Sequence, residues 1–529
     1  MKSLYSFLIA VAFAGTAVSQ VNITQLGHLD YQALRNSDLA NIWGYVDEEG
    51  NEYALVGVNG NGAPNSGGLS VVDVSDPANP VEVFFASGPA SIWREIKVWG
   101  DHAYVTTEAN AGLQIVDLSP LPQSHDLPVT LFQGNGWTTA HSLFIDENGR
   151  LYLHGANRGN GGVIMYDLTQ DPEAPVEVGT VDVLYCHDSY ARGDTLYAAH
   201  IYNGLLSITN VSNPAAPLLL GSVTTPSAFT HNVWLDDSGQ YAFTTDEVGN
   251  AYVGAYDISD LSDIKEVDRL QSDAGHNVIP HNTYWLDHFL VTSYYTYGVV
   301  IYDATRPWNL VETGHYDTSP FNSGGFHGAW GVYAFLPSGN LLISDIENGL
   351  FILSPTYVHA AWLEGLVTDL GTGLPINQAS VTLGTPDATD GTGFDGKYAL
   401  GTVNGGTYTV TASAPGYPDR TYTGVQLVNG EPTILDIQLG LGAGVAANSM
   451  AAEVSLSVSP NPVNGLFTIG NMGGVGVLRV LDLQGRTVLG PVNVEQALPL
   501  DARGLPAGSY MVHMVREDGA LRTARFVKQ

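Results

Sequence analysis

Residues 113–117 read Leu-Gln-Ile-Val-Asp, and the same phrase, a short apolar run closing on an acidic or small polar side chain, returns along the chain. It ends at Asp73 (LSVVD), Asp117, Asp167 (VIMYD), Asn210 (LSITN), Asp257 (VGAYD), Asp303 (VVIYD) and Ser354 (LFILS), with spacings of 44, 50, 43, 47, 46 and 51 residues. A period of about that length, holding several short alternating runs, belongs to four-stranded propeller blades; a helical solenoid would write a 3.6-residue pattern instead. The second unit shows the four strands best, at 94–100 (inner), 103–108, 113–118 and 129–134 (outer). The connections carry turn chemistry: Asp-Glu-Asn-Gly at 146–149, Asp-Asp-Ser-Gly at 236–239, and Asp-Pro or Asn-Pro pairs beginning at 76, 171 and 213. No outer strand follows the seventh phrase, yet ITQLGHLDY at 23–31 matches outer strands such as LVETGHYDT at 310–318. The expectation is an all-β chain whose seven-bladed propeller (20–357) is closed by its own N-terminal strand, which leaves no sheet edge exposed.

The two ends of the chain read differently. Lys2, the apolar run 4–17 and the small-residue exit Ala17-Val18-Ser19 form a secretory signal (1–19) too short to span a bilayer, and no later apolar run approaches spanning length. Fifty-three acidic residues against 19 basic ones give a net charge of −34, so the chain has no cationic surface with which to displace counterions from nucleic acid. A single cysteine, Cys186, cannot form an intramolecular disulfide, and stability must rest on packed sheets.

After Ser354 the period stops. Short alternating runs at 363–369, 373–383, 396–400, 406–417 and 434–439 suit a small antiparallel sandwich, 360–440. Its Gly-X-Val (365–367), Gly-X-Pro-Ile (373–376) and Gly-X-Tyr-X-Val (406–410) anchors resemble the carboxypeptidase regulatory-like domain, a transthyretin-type fold. The resemblance implies a spacer or weak sugar-binding module rather than a peptidase, since no His-X-X-Glu stretch is present. A small-residue linker (441–453) leads to Pro460-Asn461-Pro462, Asp482-Leu483-Gln484-Gly485-Arg486, Leu505-Pro506-Ala507-Gly508 with Tyr510, and Phe526-Val527-Lys528. Together these resemble the C-terminal sorting domain of the type IX secretion system (454–529); an ordinary terminal sandwich is the alternative. The resemblance implies passage through that machinery, removal of the domain, and release or attachment to surface lipopolysaccharide. With LQIVD and VVIYD on third strands, the propeller resembles LVIVD-repeat proteins and, over 20–355, the surface proteins grouped as choice-of-anchor B. That likeness implies an exported propeller but carries no established reaction, so function must be read from a site.

Aligning the units by inner strand puts Asn41, Arg94, His141, His187, His231, His281 and His327 at one recurring position, at the mouth of the central channel. The second strands end at that mouth with Glu108, His154, His200, Asp246, Glu247, Tyr294, Tyr295, Asp345 and Glu347. Imidazoles and carboxylates on a rigid ring suit zinc, copper, iron or nickel, with His141, His187, His231, His281 and His327 as first candidates and His154, His200, Asp246, Glu247, Asp345 and Glu347 as further ones. Pro280-His281-Asn282 and Phe326-His327-Gly328 resemble the Pro-His-Gly openings of other bacterial propellers, some of which hold copper or other metals at the axis. The competing reading is that each histidine is a duplicated strut bonded to neighbouring backbone. Cys186 reads as a buried small hydrophobe, a soft ligand or a nucleophile, and Tyr294, Tyr295 and Tyr297 as rim packing or a sugar-stacking surface. The polar residues that close each phrase read as side-chain-capped turns rather than calcium loops. Three function classes stay open: a binder of a carbohydrate or protein ligand acting through a metal at the mouth, a metal-dependent oxidoreductase or hydrolase on the same histidines, and a metal-free scaffold or adhesin. No nucleophile elbow, phosphate loop or dinucleotide fingerprint is present.

Overall fold

The computed structural model describes residues 20–529 apart from 322–323, 385–387, 441–455, 473, 484, 495–498 and 517–520. The expected secretory signal, the 441–453 linker and Gln484 of the sorting motif lie outside the described residues. These residues divide into two compact units, one running through Leu363 with Leu400–Gly406 and Gln426–Thr433, the other holding the remainder.

The first unit is a seven-bladed propeller. Its inner strands are Leu39–Val46, Ile96–Trp99, Ser142–Ile145, Asp188–Arg192, Thr230–Leu235, Thr283–Leu286 and Ala329–Tyr333, each hydrogen-bonded outward through its blade in chain order. The phrases are the third strands. Leu113–Asp117 and Val163–Asp167 are buried at every position but the last, because neighbouring blades cover both faces. The closing Asp or Asn then caps a turn, accepting the backbone N–H two residues on: Asp73 from Ser75, Asp117 from Ser119, Asp167 from Thr169, Asn210 from Ser212, Asp257 from Ser259 and Asp303 from Thr305, all at 2.8–3.0 Å.

Closure follows the sequence reading. Ile23–Leu29 pairs antiparallel with the third strand of the last blade, Gly349–Pro355, and Gln20–Val21 adds an edge to the sixth blade. A register shift recurs where third and outer strands meet in six blades, and it lets the backbone of one blade approach the next. Glycine fills the close approach: a Cβ on Gly27 would fall 1.7 Å from the Pro77 carbonyl oxygen, and one on Gly179 would fall 2.0 Å from that of Pro214. Aromatic rings from the inner strands crowd the channel axis, with Trp43 against Tyr284 and Tyr333 at 6.0 and 4.9 Å and Trp234 against Tyr190, Tyr284 and Phe335 at 4.5, 5.0 and 5.9 Å between centroids. The channel is therefore a pit, open at one mouth and filled below by rings.

Helix is confined, among the described residues, to Tyr31–Arg35 and the 3-10 turn Ile201–Asn203, and no helix is long and apolar enough to cross a membrane. In the second unit Ser380–Leu383 pairs with Thr389–Gly391 and Gly406–Ala414, and Ala361–Asp369 pairs in parallel with Ile437–Leu439. The C-terminal segment has a three-stranded sheet (Ser457–Ser459, Leu466–Gly470, Pro499–Asp501) and a four-stranded one (Gly476–Leu481, Thr487–Val494, Gly508–Arg516, Leu521–Lys528). Phe467, Tyr510 and Phe526 stack in their shared core, which explains the aromatic positions of the terminal motif.

Candidate metal centre at the channel mouth

Each inner strand begins at the mouth, so the residues there are set by the blades and not by a flexible loop. His141, His187 and His281 stand just before their strands and His231 is the second residue of its own. Their rings form an unbroken arc over four consecutive blades, with centroids 4.2, 4.3 and 4.1 Å apart from His141 to His281. Trp93 continues the arc beyond His141 at 6.3 Å and Trp330 beyond His281 at 5.5 Å.

The four histidines are not alike. His141 Nδ1 meets Glu108 Oε1 at 2.6 Å. His231 Nδ1 faces the His281 carbonyl oxygen at 3.0 Å. The Nδ1 atoms of His187 and His281 are buried without a hydrogen-bond partner. His231 and His281 turn their Nε2 atoms toward one carboxylate. There Glu247 waits: its oxygens lie 3.9 Å from His231 Nε2 and 3.7 Å from His281 Nε2, and ligand atoms of His187, His231 and Glu247 all fall within 4.8 Å of one another. Those gaps are too long for hydrogen bonds. Two ligands each about 2.0–2.2 Å from a tetrahedral ion sit about 3.3–3.6 Å apart, close to the gaps between Glu247 and the two Nε2 atoms.

Burial keeps the imidazoles neutral, which is the ligating form: His187 and His231 are held well below the ordinary histidine value and His281 is lowered to about 3. Burial also pushes Glu247 up to about 7, partly offset by the Tyr295 hydroxyl that donates to Oε1 at 2.6 Å. Tyr295 is itself buried, stands at φ 40° and bridges to Ala329, an uncommon backbone for an aromatic residue.

One residue further down each inner strand lies a polar floor. Asn41 Nδ2 donates to Glu95 Oε2 at 2.6 Å, Ser142 Oγ to Asp188 Oδ1 at 3.3 Å and Asn232 Nδ2 to Asp188 Oδ2 at 2.8 Å, while Lys97 forms a buried ion pair with Glu95 over the Trp43 face. Burial raises both Glu95 and Asp188. Trp93, Arg94, Glu95, His141, Ser142, His187, Asp188, His231, His281, Asn282 and Trp330 line one open space with about 20 Å³ of room for a water-sized group.

The structure sorts the candidates drawn from the sequence. It brings His141, His187, His231, His281 and Glu247 together. Asn41 sits in the floor, one tier below the histidines. Arg94 turns away and donates to the Val58 and Pro89 carbonyls. His327 is half exposed, paired with Glu347 and packed on Phe321, and Trp330 takes its place beside His281. His200 spends both nitrogens, on the Tyr185 carbonyl and the Ser207 hydroxyl, each at 2.7 Å. His154 is wholly buried against the Ser189 hydroxyl. Asp246 takes Thr225, Ser227 and Phe229, and Asp345 takes Thr318, Glu347 and Asn348, so both carboxylates shape turns. Cys186 is a buried core residue, its thiol pushed up by burial, and Tyr294 and Tyr295 pack inside the blades. Trp93, Trp330, Glu95, Lys97 and Asp188 were not singled out from sequence; their places directly beside the aligned positions are the signal that could have found them.

Comparison with known families agrees with this architecture. The chain carries LVIVD repeats, matched at residues 50–86, 92–122 and 189–225, a carboxypeptidase regulatory-like domain at 363–440 and a secretion system C-terminal sorting domain at 457–529. It is an LVIVD-repeat propeller delivered by type IX secretion, hence secreted or held on the outer cell surface, with the secretion machinery among its partners. Among curated proteins none matches the chain.

Proposed function

We propose that this exported propeller binds one divalent transition metal (zinc, copper or iron) on His187, His231, His281 and Glu247, and presents it to an extracellular ligand. The observation that carries the reading is the convergence of donors: ligand atoms of His187, His231 and Glu247 fall within 4.8 Å of one another, and the Nε2 atoms of His231 and His281 face Glu247 at 3.9 and 3.7 Å. His231 is also held as metal-binding histidines are, its Nδ1 facing the His281 carbonyl as a second-shell acceptor. A second reading, a metal-dependent enzyme, is favoured by the one-sided donor set, which leaves coordination positions facing Trp93 and Trp330.

The proposed division of the chain is a signal at 1–19, the propeller at 20–357, the sandwich at 360–440, a linker at 441–453 and a sorting domain at 454–529. The sorting domain is removed on export, and the mature chain is released or joined to surface lipopolysaccharide, in keeping with a choice-of-anchor B protein. Elemental analysis of the chain made without a histidine tag tests the metal: about one divalent ion per chain is expected, absent from the His187→Ala/His231→Ala/His281→Ala variant while its β circular dichroism persists. A metal-free chain, or stoichiometric metal that survives the triple substitution, overturns the assignment.

A further inference from the structure

We infer that the propeller carries a second metal site, on the face opposite the channel mouth, where His102, Asp117 and Glu173 hold one zinc(II) ion between the second and third blades. The second strands end at the mouth, so His102, which opens His102–Val105, lies at the far end of its blade. Asp117 closes the third strand, Leu113–Asp117, and the antiparallel register sets it directly opposite His102. Glu173 comes from the third blade, on the connection between Val163–Asp167 and Val176–Val181. Ligand atoms of the three residues all fall within 4.8 Å of one another, and His102 Nε2 stands 4.0 Å from Glu173 Oε1. That gap is too long for a hydrogen bond and close to the separation of about 3.3–3.6 Å between two ligands of a tetrahedral ion.

The third donor is carried across the blade boundary by a turn fixed at several points. Asp171 Oδ1 accepts the Glu173 N–H at 3.0 Å, the Tyr104 hydroxyl of the second blade donates to the Pro172 carbonyl at 3.0 Å, and Thr130 Oγ1 donates to Glu173 Oε2 at 2.7 Å. Asp117 spends Oδ1 on the Ser119 N–H at 2.9 Å. Each carboxylate keeps its other oxygen without a hydrogen bond, and among the described residues no lysine or arginine pairs with either. The repeat shows that these residues are departures from the common pattern. Opposite the residue that closes the third strand, the first and the third to sixth blades have Tyr53, Arg150, Thr195, Tyr241 and Phe289, where the second has an imidazole. After the Asp-Pro or Asn-Pro pair of the same capped turn, the first and fourth blades have Ala78 and Ala215, where the third has Glu173. Both departures fall at the one boundary where they meet, and duplication explains neither. An imidazole joined to carboxylates selects a borderline ion such as zinc over calcium or magnesium, which take oxygen donors, and three protein ligands leave a fourth position for water. The ion fastens one blade to the next in a chain whose single cysteine excludes an internal disulfide.

Zinc bound to the full chain is counted by competition with a chelating dye. His102→Ala is expected to lower the count by one, and Glu173→Gln, which keeps an acceptor for Thr130, to weaken the same ion at least tenfold. The mouth variant His187→Ala/His231→Ala/His281→Ala is expected to retain this ion, so the two sites are read separately and either can fail without the other. Both single variants are checked for native β circular dichroism, and Glu173→Gln, a change at a half-exposed side chain, decides alone if His102→Ala misfolds. Zinc binding that neither variant alters is adventitious binding by surface carboxylates and overturns the site, as does a native chain that binds no zinc.

Discussion

Tyr295 shows how a single residue ties the site to the fold. Its backbone is held at φ 40° by the bridge to Ala329, and its hydroxyl fixes the Glu247 carboxylate that faces the histidines. Tyr295→Phe keeps the ring and removes only that bond, so metal affinity is expected to fall about 10–100-fold, read by competition with a chelator, with little change in melting temperature. An unchanged affinity would show that Glu247 needs no support. Glu312 is a second buried carboxyl, pushed up to about 7 by burial and hydrogen-bonded by Ser272 at 2.5 Å. A folded-state value above the unfolded one means that the stability is fully present below about pH 4.5 and is lost as pH rises through 7, by up to roughly 3 kcal/mol. Glu312→Gln should therefore melt higher than the native chain at pH 8 and alike near pH 4.5. A gap that is equal at both values contradicts the assignment.

At the scale of elements, the blade is a repeated device whose parts were mostly legible. The phrases declared the third strands because an apolar run of five residues between turn signals has to be covered on both faces, and the Asp or Asn at its end is a backbone-capping side chain wherever it stands. The bulge where third and outer strands meet was not legible, since a shifted register leaves no mark in a period-two pattern. Its consequence is visible at Gly27, where the strand that closes the ring touches Pro77 of the first blade. Gly27→Ala is expected to cost roughly 2–4 kcal/mol and to lower the melting temperature by several degrees, while deletion of residues 20–29, which strips the last blade of its outer strand, should cost more. Equal melting of native and Gly27→Ala chains would mean that the closing strand sits looser than described.

For the whole molecule, the arrangement separates delivery from work. The sorting domain belongs to export, and the mature chain is expected to begin near Gln20 and to end before the sorting domain, as intact-mass measurement on protein from the medium or cell surface would show. Retention of Phe526 to Gln529 on the exported form would contradict this. The propeller itself places its donor-bearing mouth on rigid strand ends, so metal binding needs little ordering and should leave the β circular dichroism unchanged.

The amino-acid sequence alone determined the seven blades, their closure by the N-terminal strand and the small sandwiches behind them, because periodicity, turn chemistry and family motifs are local signals that survive in one dimension. It also put His141, His187, His231 and His281, whose rings adjoin, at one level, since a duplicated unit repeats its own positions. What it could not decide was which of them meet. His327 and His231 occupy equivalent places in the alignment, yet one pairs with Glu347 at the half-exposed rim and the other faces Glu247 in the pit. Ring orientation, burial and the exchange of Trp330 for a histidine depend on side chains from different blades packing against one another, and only the closed ring brings those blades together.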